Sequence, residues 1–163
     1  MPIGPDEYKQ ALGRRASGVA IVTTRAGERV HGMTVSAFAE LSLEPPLVLI
    51  CADRASNTLP LIEESGVFAV NLLARDQAEL SNRFASKRDE WRRFEGLEHD
   101  RGVTGAPLLR GVVANLDCRV VASHVHGDHV VYVGLVEEAR CFERAPLVYA
   151  RGKYGSFQSD ATS

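Results

Sequence analysis

HVHGDH, residues 124–129, sets His124, His126, Asp128 and His129 at a spacing with which zinc hydrolases grip a metal. Residues two apart share one face of a strand, so His124 and His126 can act together. A binuclear site needs further ligands from later in the chain, yet no histidine follows His129. The same letters also spell a hairpin, with Gly127 and Asp128 supplying the permissive turn between two apolar strands. On that reading His124 and His126 are solvated near a tip, and only His129, opening a strand, is placed to serve a barrel mouth. We expect the hairpin and no metal site.

Other candidates are small polar residues at strand ends. In HGMTVSAF, alternation puts Thr34, Ser36 and Phe38 on one face and Met33, Val35 and Ala37 on the other. Two hydroxyls and a glycine in an apolar strand let a flat polar ligand approach the backbone, and a solvent-facing edge strand has the same composition. The residues alone leave both open. CADRASNTLP, residues 51–60, runs from an apolar strand into a helix start through Ser56, Asn57 and Thr58. Amide groups there, backed by the helix dipole, form an anion seat, and simple N-capping uses the same residues. Asn71, inside VFAVNLL, needs a hydrogen-bond partner that backbone alone can supply. No G-x-G-x-x-G, P-loop or nucleophile elbow occurs, so nothing announces a nucleotide cradle or a serine hydrolase.

Positioning these residues falls mainly to strands. Seven apolar segments, 18–24, 30–38, 47–52, 67–73, 112–125, 129–141 and 147–150, predict a mainly β fold closed or nearly closed into a barrel. Three helices fit the gaps. Residues 56–66 begin with cap-type residues and end at Gly66; residues 75–85 begin with Asp76 and Glu79 in a capping-box variant; residues 5–17 carry Tyr8, Leu12 and Ala16 at helical spacing. The tail from residue 158 has the composition of a frayed end.

At 163 residues, with 45% hydrophobic and 25% charged residues, the chain suits one globular domain. A net charge of -2 gives no general pull toward nucleic acid or anionic lipid. No apolar run is long enough to span a bilayer and residues 1–9 lack a leader pattern, so a cytoplasmic protein is expected. Cys51, Cys118 and Cys141 are odd in number and sit in or beside apolar runs, predicting buried free thiols.

Taken together, GMTVSAFAELSLEPPLVLIC, RASNT, FAVNLLARDQAELSNRFA, GAPLLRGVVANLDCRV, GDHVVYVGLV and RGKYGSF resemble the short-chain flavin reductases, the NAD(P)H:flavin oxidoreductase components of two-component monooxygenases. The likeness runs from about Tyr8 to Phe157 with the motifs in family order. It implies an FMN-binding split β-barrel of Greek-key topology that pairs into a homodimer, with a partner oxygenase receiving reduced flavin. On that template Met33, Thr34, Val35, Ser36 and Ala37 line the flavin ring, with Cys51 and Ala52 beside it. Ser56, Asn57 and Thr58 hold the ribityl phosphate region, and Ser81, Phe84 and Ala85 close the opposite side. His129 serves the nicotinamide as the catalytic candidate, and Tyr154 enters from the C-terminal end. Leu135 departs from the acidic residue frequent after the family's glycine.

The implied reaction passes hydride from NADH or NADPH to FMN, with FAD also admitted, and the fold supplies position while the cofactor supplies chemistry. Neither the flavin nor the nicotinamide preference is legible. Alternatives are a flavin-binding domain without turnover, a reductase of another acceptor such as a corrinoid, and the zinc hydrolase. The few Lys and Arg in the quoted motifs suit a shallow groove that releases its flavin.

Overall fold

The computed structural model describes residues 1–160, so the expected frayed end from residue 158 lies outside the described residues from 161 onward. The chain runs α1 (Pro5–Leu12), β1 (Ser17–Gly18), β2 (Ala20–Ala26), β3 (Arg29–Val35), β4 (Phe38–Ser42), β5 (Leu47–Asp53), α2 (Leu59–Ser65), β6 (Val67–Leu72) and α3 (Ala78–Ala85). After a 3-10 turn at Glu90–Arg92 come β7 (His99–Arg101), β8 (Pro107–Leu109), β9 (Ala114–His126), β10 (His129–Cys141), β11 (Leu147–Ala150) and β12 (Lys153–Ser156). No described helix is long and apolar enough to cross a membrane.

Seven strands form one antiparallel sheet in the order β3-β2-β6-β9-β10-β5-β4. Its two edges, β3 and β4, are consecutive in the chain and joined only by Ser36 and Ala37. Three peptide steps cannot separate Val35 from Phe38 by more than roughly 11 Å, so the sheet must curl until its edges nearly meet. The result is a barrel split along one seam. Sequence-distant neighbours such as β2 with β6 and β10 with β5 give it a Greek-key rather than an up-and-down path.

Ala20, Val22, Met33, Val48, Ile50, Phe68, Val70 and Tyr132 fill the interior, and α2 plugs one end with Leu59 and Ile62. Val19, Ile21, Leu73, Phe84, Leu109 and Leu147 build a second cluster outside. Sandwiched between the two, β2 is buried on both faces, which explains an unbroken apolar run where a half-buried strand would alternate. At Gly134 the barrel leaves no room for a side chain, because a Cβ there would lie 2.5 Å from the Phe68 ring.

The expected 30–38 strand breaks at Ser36–Ala37 into β3 and β4, so Phe38 does not continue the face of Thr34. The first helix stops at Leu12 instead of 17, has no buried residue, and leaves Tyr8 and Leu12 exposed. The third begins at Ala78, without an Asp76 cap. Gln77 Oε1 accepts from Ala74 N–H (2.9 Å) and its Nε2 donates to the Arg110 carbonyl (3.0 Å), tying down the loop in place of the capping box. Gly66 caps α2 in the left-handed region (φ 68°), as its position predicted. Of the thiols only Cys118 is buried, with burial pushing its pKa up to about 12; Cys51 is half-buried and Cys141 exposed, contrary to expectation. Asn71 finds more than backbone: it donates to the Ile21 carbonyl and Thr23 Oγ1, and its Oδ1 accepts from Leu109 N–H and Asn115 Nδ2, all within 3.0 Å.

Candidate functional site

Where the seam fails to close, a cavity of about 400 Å³ opens. One wall is the end of β3 and the break beyond it, Met33, Thr34, Val35, Ser36 and Ala37; Cys51 and Ala52 from β5 stand beside them. The break exists because Ala37 turns its carbonyl to Cys51 N–H (3.0 Å) and Ser36 turns its own to Phe38 N–H (3.1 Å). That leaves the Ser36 and Ala37 N–H groups without an acceptor among the described residues. Asn57 N–H is equally unengaged, since Asp53 and Ser56 satisfy the neighbouring amides of Ala55, Ser56, Thr58 and Leu59.

Ser56 and Asn57 lie on the loop into α2, where Ser56 donates to Met33 Sδ (3.2 Å) and so fixes the thioether against the wall. Phe84 and Ala85 close the side formed by α3. Gly32 makes this closure possible, because a Cβ there would lie 2.9 Å from the Phe84 ring. Twelve of the fifteen expected residues thus surround one space, His129 being the last of them.

Three do not reach the cavity wall. Thr58 is fully buried behind it, its Oγ1 2.8 Å from His31 Nδ1. Ser81 is also buried; its carbonyl accepts the Thr34 hydroxyl (2.6 Å), which therefore points into the protein. Tyr154, on β12, places its hydroxyl 2.8 Å from both Ser81 Oγ and Asn82 Oδ1, pinning the C-terminal strand to α3. These three support the wall and do not form it.

The sequence reading missed Asp53, Ala55, Lys87, Glu90 and Arg93, all of which line the cavity. Lys87, Glu90 and Arg93 fall in SKRDEWRRF, a charged run without apolar periodicity. Arg93 is nevertheless buried at 5% exposure, donating from Nη1 to the Gly32 carbonyl (2.7 Å) and from Nη2 to the Ser86 carbonyl (2.5 Å). Glu90 Oε2 lies 3.7 Å from Arg93 Nη1, accepts from Asn57 Nδ2 (3.1 Å) and lies 3.5 Å from His31 Nε2. Burial, and then the Arg93 charge, lower the His31 pKa; Glu90 opposes them. Loop, β3 and α2 are thereby locked together behind the cavity.

His129 opens β10 after the two-residue Gly127–Asp128 turn, in the expected hairpin, with Gly127 at φ 59°. Its Nδ1 lies 2.7 Å from Asp128 Oδ1, and the imidazole holds that carboxyl below its ordinary range. His124 and His126 are exposed, and among the described residues no three His, Cys, Asp or Glu converge as metal ligands. His129 also borders a second groove of about 780 Å³, floored by Ser36, Ala37, Cys51 and Val131 and roofed by Tyr8 and Leu12 of α1. The two spaces share a rim.

What the seam cavity can accept follows from its walls. An apolar wall of Met33, Val35 and Ala52 suits a flat ring; unengaged amide donors suit the carbonyl and nitrogen edge of such a ring; Lys87 and Arg93 suit a phosphate. FMN has all three features, so the residues present fit it.

Comparison with known proteins agrees in extent. The family model described as flavin reductase like domain matches residues 12–158. An NADH-dependent flavin reductase of a Rhodococcus species is 40% identical, covering 96% of this chain and 88% of that protein. The reductase component of a 4-hydroxyphenylacetate 3-monooxygenase from Thermus thermophilus is 41% identical, covering 91% and 94%. Among solved structures, a Streptomyces globisporus NADH:FAD oxidoreductase in complex with NAD and FAD fragments superposes with a TM-score of 0.89 at 30% identity, covering 99% of each chain.

Proposed function

The chain belongs to the flavin reductase-like family, and on that premise we propose that it moves hydride from NADH to FMN at the barrel seam and releases reduced FMN to a partner monooxygenase. The observation that carries the reading is the set of unengaged backbone amides, Ser36, Ala37 and Asn57, on residues that line one cavity together with Lys87 and Arg93. When bound, the flavin supplies the electron-accepting chemistry.

The protein's own contribution is positional and electrostatic. Met33, Val35 and Ala52 back the ring, while Phe84 and Ala85 keep water from its far side. Ser36 and Ala37 N–H groups would hold the carbonyl and nitrogen edge of the flavin and favour negative charge there. Lys87 and Arg93 hold the phosphate, with Ser56 and Asn57 beside it. His129, oriented through Nδ1 by Asp128, presents Nε2 to the nicotinamide carboxamide. Thr58, Ser81 and Tyr154 act only through the residues they brace.

Two finer points follow. An eight-residue helix without a buried side chain is marginal on its own, so the face carrying exposed Tyr8, Leu12 and Tyr149 is best covered by a second copy in a homodimer. The chain acts as one domain in the cytoplasm, where its three thiols stay free. The test is anaerobic mixing of the protein with FMN and NADH. Bleaching of the flavin's visible absorbance at a rate proportional to protein is expected, and FMN binding without bleaching would overturn the reductase reading.

A further inference from the structure

The β9–β10 hairpin carries more imidazole than the proposed reaction uses. His124 and His126 are two apart on β9, so their side chains share a face, and His126 lies directly opposite His129 in the ladder with β10. Three rings therefore stand on one side of the ribbon. Of the three, only His129 makes a side-chain hydrogen bond among the described residues, from Nδ1 to Asp128, while His124 and His126 are exposed. The backbone beneath them is fixed. The two-residue turn sets the register, and Arg54 N–H donates to the Asp128 carbonyl (3.0 Å), which ties the tip to the end of β5.

We propose that His124 and His126 form a binding site for a divalent transition ion of the zinc and copper class, and that an ion held there obstructs His129. The ring centres of the pair are 6.4 Å apart, with planes 38° from parallel. With metal–nitrogen bonds of about 2.0–2.1 Å, two imidazoles sharing one ion have centres roughly 5–6.5 Å apart. The pair already falls within that range. Turning two exposed side chains into ligating rotamers completes the site, because the strand has set the spacing beforehand. Imidazole suits both ions, and water fills the positions the protein leaves open. Among the described residues no three candidate ligands converge, so the site is a reversible surface one and not the many-ligand centre of a hydrolase. Asp128, exposed at the turn, adds negative charge that favours a cation there.

The effect on turnover rests on the flavin reading above; the binding does not. His129 borders the seam cavity and the neighbouring groove, and His126 borders that groove as well. An ion on His126 therefore brings positive charge and a shell of water beside the His129 Nε2 assigned to the nicotinamide. NADH is then obstructed more than flavin.

The experiment titrates zinc chloride by calorimetry into the full chain without an affinity tag, and into its His124→Ala, His126→Ala and Cys141→Ser variants. One ion per chain should bind the wild type and Cys141→Ser alike, and both histidine variants should bind about ten-fold or more weakly. No binding to the wild type, binding that survives both histidine variants, or binding lost with Cys141→Ser overturns the site. A second arm follows NADH oxidation with FMN as zinc is raised. The KM for NADH should rise several-fold in the wild type, whereas His124→Ala should match the wild type without zinc and stay insensitive to it. An unchanged KM in the zinc-loaded wild type, or equal inhibition of both proteins, overturns the obstruction of His129. Absence of turnover in metal-free buffer would sink the flavin reading and leave the calorimetric result standing, so the two failures are distinguishable.

Discussion

His129 and Asn71 represent two ways a polar residue can matter. His129 sits at a rim, held only by Asp128, so its loss should leave the fold intact. His129→Ala is expected to raise the KM for NADH several-fold with FMN affinity unchanged, as read by steady-state kinetics and flavin titration. An unchanged KM would remove the nicotinamide role. Asn71 is buried at the junction of β2, β6, β8 and β9, and each of its side-chain atoms serves two partners. Asn71→Leu strands the Leu109 N–H and one of the two Asn115 Nδ2 hydrogens, the other keeping the Leu109 carbonyl, at about 1–3 kcal/mol for each buried donor left unmet. The denaturant midpoint should fall accordingly. Residue types exposed Asn71 as anomalous in an apolar strand, and the HGD turn identified His129. They did not reveal Arg93, whose burial depends on carbonyls of Gly32 and Ser86 distant in sequence or hidden in a loop.

Among elements, the 86–93 loop and strand β10 differ in how far the sequence discloses them. Both long strands of the β9–β10 hairpin were legible because apolar residues recur over many positions and a Gly-Asp turn joins them. The loop carried no period, and its charged letters concealed a cavity wall. Its role gives a sharp test: Lys87→Ala should weaken FMN about ten-fold yet leave riboflavin, which lacks the phosphate, nearly unaffected. Equal loss of both ligands would place Lys87 elsewhere. In β10, Gly134→Ala forces a methyl against Phe68 and the Cys118 side chain, where the closest approaches are 2.5 and 2.9 Å. Overpacking of this kind costs about 1–3 kcal/mol, and thermal unfolding should register it. The short strands β1, β7 and β12 escaped the sequence because two to four residues carry no usable alternation.

For the molecule as a whole, closure into a barrel was legible from the number and spacing of apolar segments, whereas the split followed only from the family resemblance. The seam arises from where backbone carbonyls turn, a choice that HGMTVSAF does not spell. A pH dependence of stability belongs at this scale, because His31 joins β3, α2 and the loop and meets Thr58, Glu90 and Arg93. Its pKa is lower folded than unfolded, so the unfolded chain takes up the proton first as pH falls. Stability should be fully present above about pH 6.5 and decline below it toward the folded value. Melting temperatures across that interval should show the decline, and His31→Asn should flatten it. An unaltered slope would assign the effect to other groups.

The two-residue bridge between β3 and β4 is itself part of the cavity wall. Because Ser36 and Ala37 both span the break and line the cavity, the donors they leave unengaged belong to the connection and not to any side chain. Exchanging either side chain would keep those donors in place, whereas inserting one residue into the bridge would displace them.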